Sequence, residues 1–218
     1  MIELRRDGDV RILRFDEGEN RFSPVFLDEL EKVLDELEAT EGPKALVTTG
    51  TGKFYSNGLD LDWLGRNPDE WGPYLDRVHA LFARFLTLPM PTVAALNGHT
   101  FAAGAMLALT HDHRVMRTDR GYFCLPEVDL GLSFTPGMAA LIQGRLPKAT
   151  AHEAMVTGRR YTAEEAQAAG IVDRAAPEAE VLAAAVGLAT PLAGKDGGTV
   201  AKIRTVMYET VLAALRTT

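Results

Sequence analysis

Apolar and polar positions alternate over the first fifteen residues and then change period. Val10, Ile12 and Phe15 supply the apolar side of the second arm of a hairpin running from Ile2 to Phe15. Asp7-Gly8 is its turn pair. From Phe26 onward Leu30, Val33, Leu34 and Leu37 recur at helical spacing, which predicts a helix to about Ala39. Ser23 and Pro24 provide its N-cap and first turn, and Gly42-Pro43 stop it. Lys44–Thr49 is a short buried-strand pattern. Tyr74, Val78, Leu81, Phe82 and Phe85 make a second helix, closed by Pro89 and Pro91, and Thr92–Leu96 is the next strand. The polar stretch Asn67–Gly72 ahead of that second helix reads as a mobile loop.

The second half changes character. Arg114–Thr118 and Gly121–Leu125 read as strands around Asp119-Arg120, and Pro126–Gly137 as a loop, its prolines and glycines fitting no regular element. Thr162 to Glu165 is a capping box, Gly170 a helix stop, and Ile171-Val172-Asp173 a short strand. Two alanine-rich helices, about 177–190 and 198–216, close the chain. Strands mixed with helices early and helices alone late predict an α/β body over 1–145 with a mainly helical C-terminal region over 146–218.

Composition narrows the partners. At 218 residues, 46% hydrophobic and 24% charged, the chain suits a soluble protein with a sizeable core. Its 30 acidic against 23 basic residues give a net charge of −7, which argues against nucleic acid or an anionic membrane surface as main partner. A lone cysteine, Cys124, lies in an apolar run and reads as a buried structural thiol. With no apolar signal-peptide core at Met1–Asp7 and no apolar run of about 20 residues, a cytoplasmic location is expected.

Two turns carry candidate chemistry. Asn57-Gly58 interrupts the stretch Phe54–Leu61, and Asn97-Gly98 precedes the small-residue run to Leu109, read as opening a helix. Small residues admit a ligand to the backbone, and the first amides of a helix lack internal partners, so such a place can hold a developing oxyanion. Gly50-Thr51-Gly52-Lys53 is not a phosphate loop, because Val47 and Phe54 stand where that motif needs glycine and Ser or Thr. His111-Asp112-His113 has no second ligand pair, so no metal is expected there. Asp60 and Asp129 are read as fixing turn geometry, and Glu127 is an acid directly after an apolar run.

Four segments, in order, resemble the enoyl-CoA hydratase/isomerase (crotonase) superfamily. Phe54–Leu61 is similar to its first oxyanion segment and Asn97–Leu109 to its second. Leu125–Gly131 is similar to its acid-bearing loop, and Thr157–Ala175 to its late Thr-Gly, Ala-rich pattern. The resemblance implies an α/β fold with a ββα spiral core and C-terminal helices that pack in a homotrimer or dimer of trimers. It implies an acyl-CoA thioester as partner and no separate cofactor, coenzyme A being part of the substrate.

Carried over residue by residue, the oxyanion amides are those of Leu59 and Ala103. Hydratases of the family use two glutamates; here Met106 holds the first position and Glu127 the second. One glutamate alone matches Δ3,Δ2-enoyl-CoA isomerases, in which it shuttles a proton from C2 to C4. The expected substrate-binding set adds Ser56, Asn57, Gly58, Asp60, Gly104 and Met106 near the thioester, Trp63 and Phe134 at the acyl chain, and Arg21, Lys53 and Arg66 at the nucleotide. A hydratase or thioester hydrolase of the same superfamily, and a non-catalytic CoA-binding scaffold, are the competing readings.

Overall fold

The computed structural model describes residues 1–216. The expected hairpin is present as β1 (Ile2–Asp7) and β2 (Val10–Phe15), closed where Asp7 faces Val10. A short β3 (Arg21–Phe22) precedes α1 (Pro24–Ala39), whose N-cap Ser23 accepts the Phe26 amide at 3.1 Å. Lys44 closes the other end of α1 by donating to the carbonyls of Leu37, Glu38 and Thr40, groups near a helix end that lack partners within it. Then come β4 (Ala45–Gly50), β5 (Phe54–Ser56), β6 (Gly58–Leu59), α2 (Leu61–Arg66) and α3 (Trp71–Thr87). The body continues with β7 (Thr92–Leu96), β8 (His99–Phe101), α4 (Ala103–Leu109), β9 (His113–Arg117) and β10 (Phe123–Cys124). After it follow α5 (Pro136–Arg145), α6 (Lys148–Thr157), α7 (Ala163–Ala168), β11 (Arg174–Ala176), α8 (Glu178–Ala189), α9 (Gly197–Met207) and α10 (Glu209–Leu215).

The chain climbs by repetition. A strand in the large sheet is followed by one or two short strands outside it and then a helix: β2-β3-α1, β4-β5-β6-α2, β7-β8-α4. The large sheet has the order β1-β2-β4-β7-β9-β11, antiparallel at its first pair and parallel after it; the outer layer is β10-β8-β5, with β3-β6 as a separate pair. This is the expected ββα spiral.

Alternation along the strands sorts their side chains by face. Leu13, Phe15, Leu46, Ala94, Leu96 and Met116 enter the main core with α1 and α3. Val10, Ala45, Val47, Val93, Ala95 and Val115 meet Val181, Ala185 and Ala189 of α8. Strands β4 and β7 are buried along their whole length, as central parallel strands covered on both faces must be. The late chain also closes the body: β11 pairs with β9, and Arg204 of α9 donates to the Leu88 and Met90 carbonyls and pairs with Asp112.

Several local expectations fail for physical reasons. The Asn97-Gly98 turn does not open a helix. A Cβ on Gly98 would lie 2.1 Å from the Lys53 carbonyl oxygen, so the chain passes hard against the β5 segment and pairs as β8 before α4 begins at Ala103. Asn67–Gly72 is not a loop either: Pro68–Glu70 is a 3-10 turn running into α3, with Pro73 in that helix's first turn, where its missing amide costs nothing. The strand after Gly170 is Arg174–Ala176 rather than Ile171–Asp173, because the Ile171 and Val172 amides both turn back to the Ala166 carbonyl. The final helix is broken at Tyr208 into α9 and α10. Among the described residues no helix is long and apolar enough to cross a membrane.

Candidate active site

Gly58 brings the two turn segments together. Its φ is +84°, and a Cβ there would sit 2.9 Å from the Ala103 amide nitrogen and 3.0 Å from the Ala102 Cβ. Only glycine combines that dihedral with so close a backbone approach. The Ser56 hydroxyl holds the turn, donating to the Asn20 carbonyl at 2.7 Å and accepting the Gly58 amide at 3.1 Å. Asn57 is tied twice to Glu19, its amide to the carbonyl and its side chain to the carboxylate, each at 2.9 Å. That side-chain bond holds Glu19 below the usual carboxylate range, with Arg21 assisting. Asp60 caps α2 by accepting the Trp63 amide at 3.1 Å. Its own amide donates to the Tyr74 hydroxyl at 3.1 Å, which donates to the Phe22 carbonyl at 2.7 Å. Tyr74 therefore fixes the residue that follows Leu59 to β3.

The second segment is held by contact. Ala102 takes φ +50° and ψ −126°, a region that residues with a Cβ avoid at a cost of about 1–3 kcal/mol. Its amide donates to the Cys124 carbonyl and its carbonyl accepts the Met106 amide, both at 3.0 Å. Ala103 is the first residue of α4, so its amide has no acceptor within the helix. Gly104 lies against β5, where a Cβ would come within 2.6 Å of both the Ser56 Cβ and its carbonyl oxygen.

Between these segments and the Pro126–Thr135 loop lies a cavity of about 420 Å³ whose walls include Leu59, Ala103, Met106 and Glu127. Glu127 is 7% exposed and its Oε2 has no hydrogen-bond partner. Burial pushes its carboxyl up from 4.5 to about 7, with its own backbone amide opposing the shift only in part. The loop is folded on itself: the Glu127 carbonyl accepts the amides of Leu130 at 3.1 Å and Leu132 at 2.9 Å. Among the described residues one other carboxylate reaches the wall, Asp62, whose side chain is 78% exposed and bonded to Arg21.

Of the expected site residues, Arg21, Asn57, Leu59, Ala103, Met106 and Glu127 share the cavity. Ser56, Gly58, Asp60 and Gly104 shape its wall from outside that lining. Trp63 packs on Tyr74, ring centroids 5.7 Å apart, and Phe134 against the main core; neither is in the lining. Lys53 also stands away from it, with its ammonium 5.4 Å from the Phe54 ring centroid. Arg66 shares with Arg21, Asp60 and Asp62 an adjoining charged groove that also holds Glu17 and Glu19.

The apolar lining was missed in the sequence. It comes from Leu61, Trp71, Leu75, Leu130, Leu132 and Met138. Val128, Leu130 and Leu132, alternating within a loop of turn formers, were the available signal. Cys124 is buried, its thiol pushed up to about 11 by desolvation. His111 is buried between the Thr48 hydroxyl and the Leu107 carbonyl, and burial lowers its pKa to about 4. Among the described residues no three His, Cys, Asp or Glu side chains converge as a metal site.

Comparison with known proteins places these features in a lineage. Residues 8–217 match the family described as enoyl-CoA hydratase/isomerase. The peroxisomal enoyl-CoA delta isomerase 2 of Arabidopsis thaliana is 39% identical over 95% of this chain and 92% of its own length. A putative enoyl-CoA hydratase of Thermus thermophilus is 38% identical over 88% of this chain and 78% of its own. The crystal structure of human mitochondrial delta3-delta2-enoyl-CoA isomerase superposes with a TM-score of 0.89 at 27% identity, covering 98% of this chain and 85% of that one.

Proposed function

From the premise that the chain belongs to the enoyl-CoA hydratase/isomerase family, we propose that it moves the double bond of a 3-enoyl-CoA thioester to the 2-position. The observation that carries this reading is the buried Glu127 carboxyl, with Oε2 unpartnered, in the same cavity as Leu59 and Ala103. The thioester carbonyl accepts from the Leu59 and Ala103 amides, which stabilise the enolate formed when a proton leaves C2. Glu127 takes that proton and returns it at C4. A carboxyl with a pKa of about 7 suits both halves of the exchange, because neither its acid nor its base form is scarce near neutral pH. The reading calls for no separate cofactor.

Met106 supports isomerisation over hydration. It is 1% exposed on α4 and offers no acid to hold and activate a second-substrate water. Incubation with 3-enoyl-CoA is expected to give 2-enoyl-CoA without 3-hydroxyacyl-CoA. Hydroxyacyl-CoA formation with no 3-to-2 conversion would overturn the assignment.

Replacing the base separates chemistry from stability. Glu127→Gln is expected to lower turnover by at least about a hundredfold. In the native enzyme kcat/KM should rise with pH through about 7, as Glu127 ionises. Stability runs the other way. The unfolded chain releases this proton near 4.5 and the folded one near 7, so the unfolded state holds fewer protons in that interval and stability falls as pH rises. Above about pH 8 the difference amounts to roughly 3 kcal/mol, and Glu127→Gln should be the more stable protein there by up to that amount. Denaturant titrations at acid and alkaline pH read the effect.

A homotrimer or dimer of trimers fits the outer face of α9, where Ile203, Val206 and Met207 are 58%, 77% and 68% exposed at one-turn spacing. Light scattering on the purified protein tests that assembly. A cytoplasmic location accords with a single buried thiol.

A further inference from the structure

The cavity that holds Glu127 opens in two directions of opposite character. Toward Arg21 and Asp62 it meets the groove lined by Glu17, Glu19, Asp60 and Arg66. On the other side it meets a second groove of about 460 Å³, to which Leu64, Gly65 and Pro68 contribute and which has no ionisable side chain in its wall. Leu61, Trp71, Leu130 and Leu132 belong to both the cavity and this apolar groove. They come from three separate places, the start of α2, the start of α3 and the Glu127 loop, and are 40%, 39%, 53% and 38% exposed. Large apolar side chains gathered in the open from three elements mark a binding surface.

A reactive chamber that runs on into an apolar groove fits a molecule whose reactive group carries a hydrocarbon tail. Resting on the thioester reading given above, we propose that the acyl tail passes between Trp71 and Leu130–Leu132 into the groove over α2. The enzyme is then selective for straight chains too long for the chamber alone. The occupant is the substrate's own tail, because the groove is continuous with the chamber through four shared side chains and carries no charge to pair with a protein or a headgroup. Each methylene laid in the groove leaves water, which raises kcat/KM by up to about fourfold.

Gly65 gives a clean test. It lies in α2 and lines only the outer groove, and a Cβ added there meets no heavy atom within 4 Å. Gly65→Phe therefore adds an aromatic ring at the groove wall with no clash at its Cβ, and leaving glycine favours the helix. Straight-chain 3-enoyl-CoA thioesters from hexenoyl to hexadecenoyl would be assayed on both proteins. The native enzyme should gain in kcat/KM with length, and the ratio of hexadecenoyl to hexenoyl kcat/KM should fall at least about tenfold in Gly65→Phe, the worth of two methylenes. A flat length profile, or an unchanged ratio in the variant, overturns the tail groove while leaving the isomerase reading in place. If no thioester of any length is isomerised, that reading fails and calorimetry with saturated hexanoyl- to hexadecanoyl-CoA decides the groove. Affinity that rises with length and loses that rise in Gly65→Phe supports it; affinity independent of length overturns it.

Discussion

The Leu59 and Ala103 segments line the same cavity, yet they are held by different physics. Around Leu59 the ties are hydrogen bonds through side chains: Ser56 to Asn20, Asn57 to Glu19, Tyr74 to Asp60 and Phe22. Around Ala103 the side chains are small and the constraint is steric, with Gly104 against Ser56 and Ala102 in a strained dihedral. Hydrogen bonds can be removed one at a time, each at a cost of about 1 kcal/mol or somewhat more. Close-packed backbone yields less gradually, because an added methyl group has nowhere to go. The two halves of the site should therefore fail in different ways.

The largest expected effect comes where they touch. Gly58→Ala adds a methyl at positive φ and drives it toward the Ala103 amide. It should cut turnover by more than about a hundredfold, as losing an oxyanion donor does, together with a stability loss of roughly 1–3 kcal/mol. Steady-state kinetics and a thermal melt measure both; an active Gly58→Ala would show that the segments are not coupled through this contact. Tyr74→Phe is the graded case. It leaves the Asp60 amide and Phe22 carbonyl without the bridging hydroxyl, for a stability loss of about 1–2 kcal/mol. Turnover should fall about tenfold, mainly in kcat, because the Leu59 amide drifts in the transition state by more than the bound substrate registers. An effect confined to stability would remove Tyr74 from any positioning role. Smallest is Ala102→Gly, which relieves the dihedral and should leave stability unchanged or raise it by up to about 1 kcal/mol, with turnover nearly intact. A large loss of activity there would mean the strain itself holds Ala103 in place.

The sequence was most informative where local chemistry decides. Ser23 caps α1, Thr162 and Glu165 form their capping box, and the helix of Tyr74 to Phe85 lies as spaced. It was least informative where distant backbone intrudes. Nothing near Gly98 reveals that the Lys53 carbonyl occupies the space beside it, so the small-residue run reads as a helix from its start although its first residues form β8. Trp71 was hidden for a related reason: polar turn formers from Asn67 to Gly72 read as a loop, although the 3-10 turn and α3 absorb them. Glu127 and the two amide segments could be picked out as an ordered set of motifs, but the apolar lining could not. Its members are scattered over α2, α3, α5 and a loop, and only the folded chain assembles them.

The loop that carries Glu127 is a single hydrogen-bonded piece, since one carbonyl, that of Glu127, receives the amides of both Leu130 and Leu132. Those two leucines stand on the apolar side of the cavity. With the roles proposed above for Glu127 and the leucines, reactivity and choice of substrate are written on the same few peptide units. A lineage that refits the leucines to another molecule then also re-aims the Glu127 carboxylate, so changes of preference free of that penalty should accumulate elsewhere, on α2 and α3, where the apolar wall can vary while the carboxylate stays still.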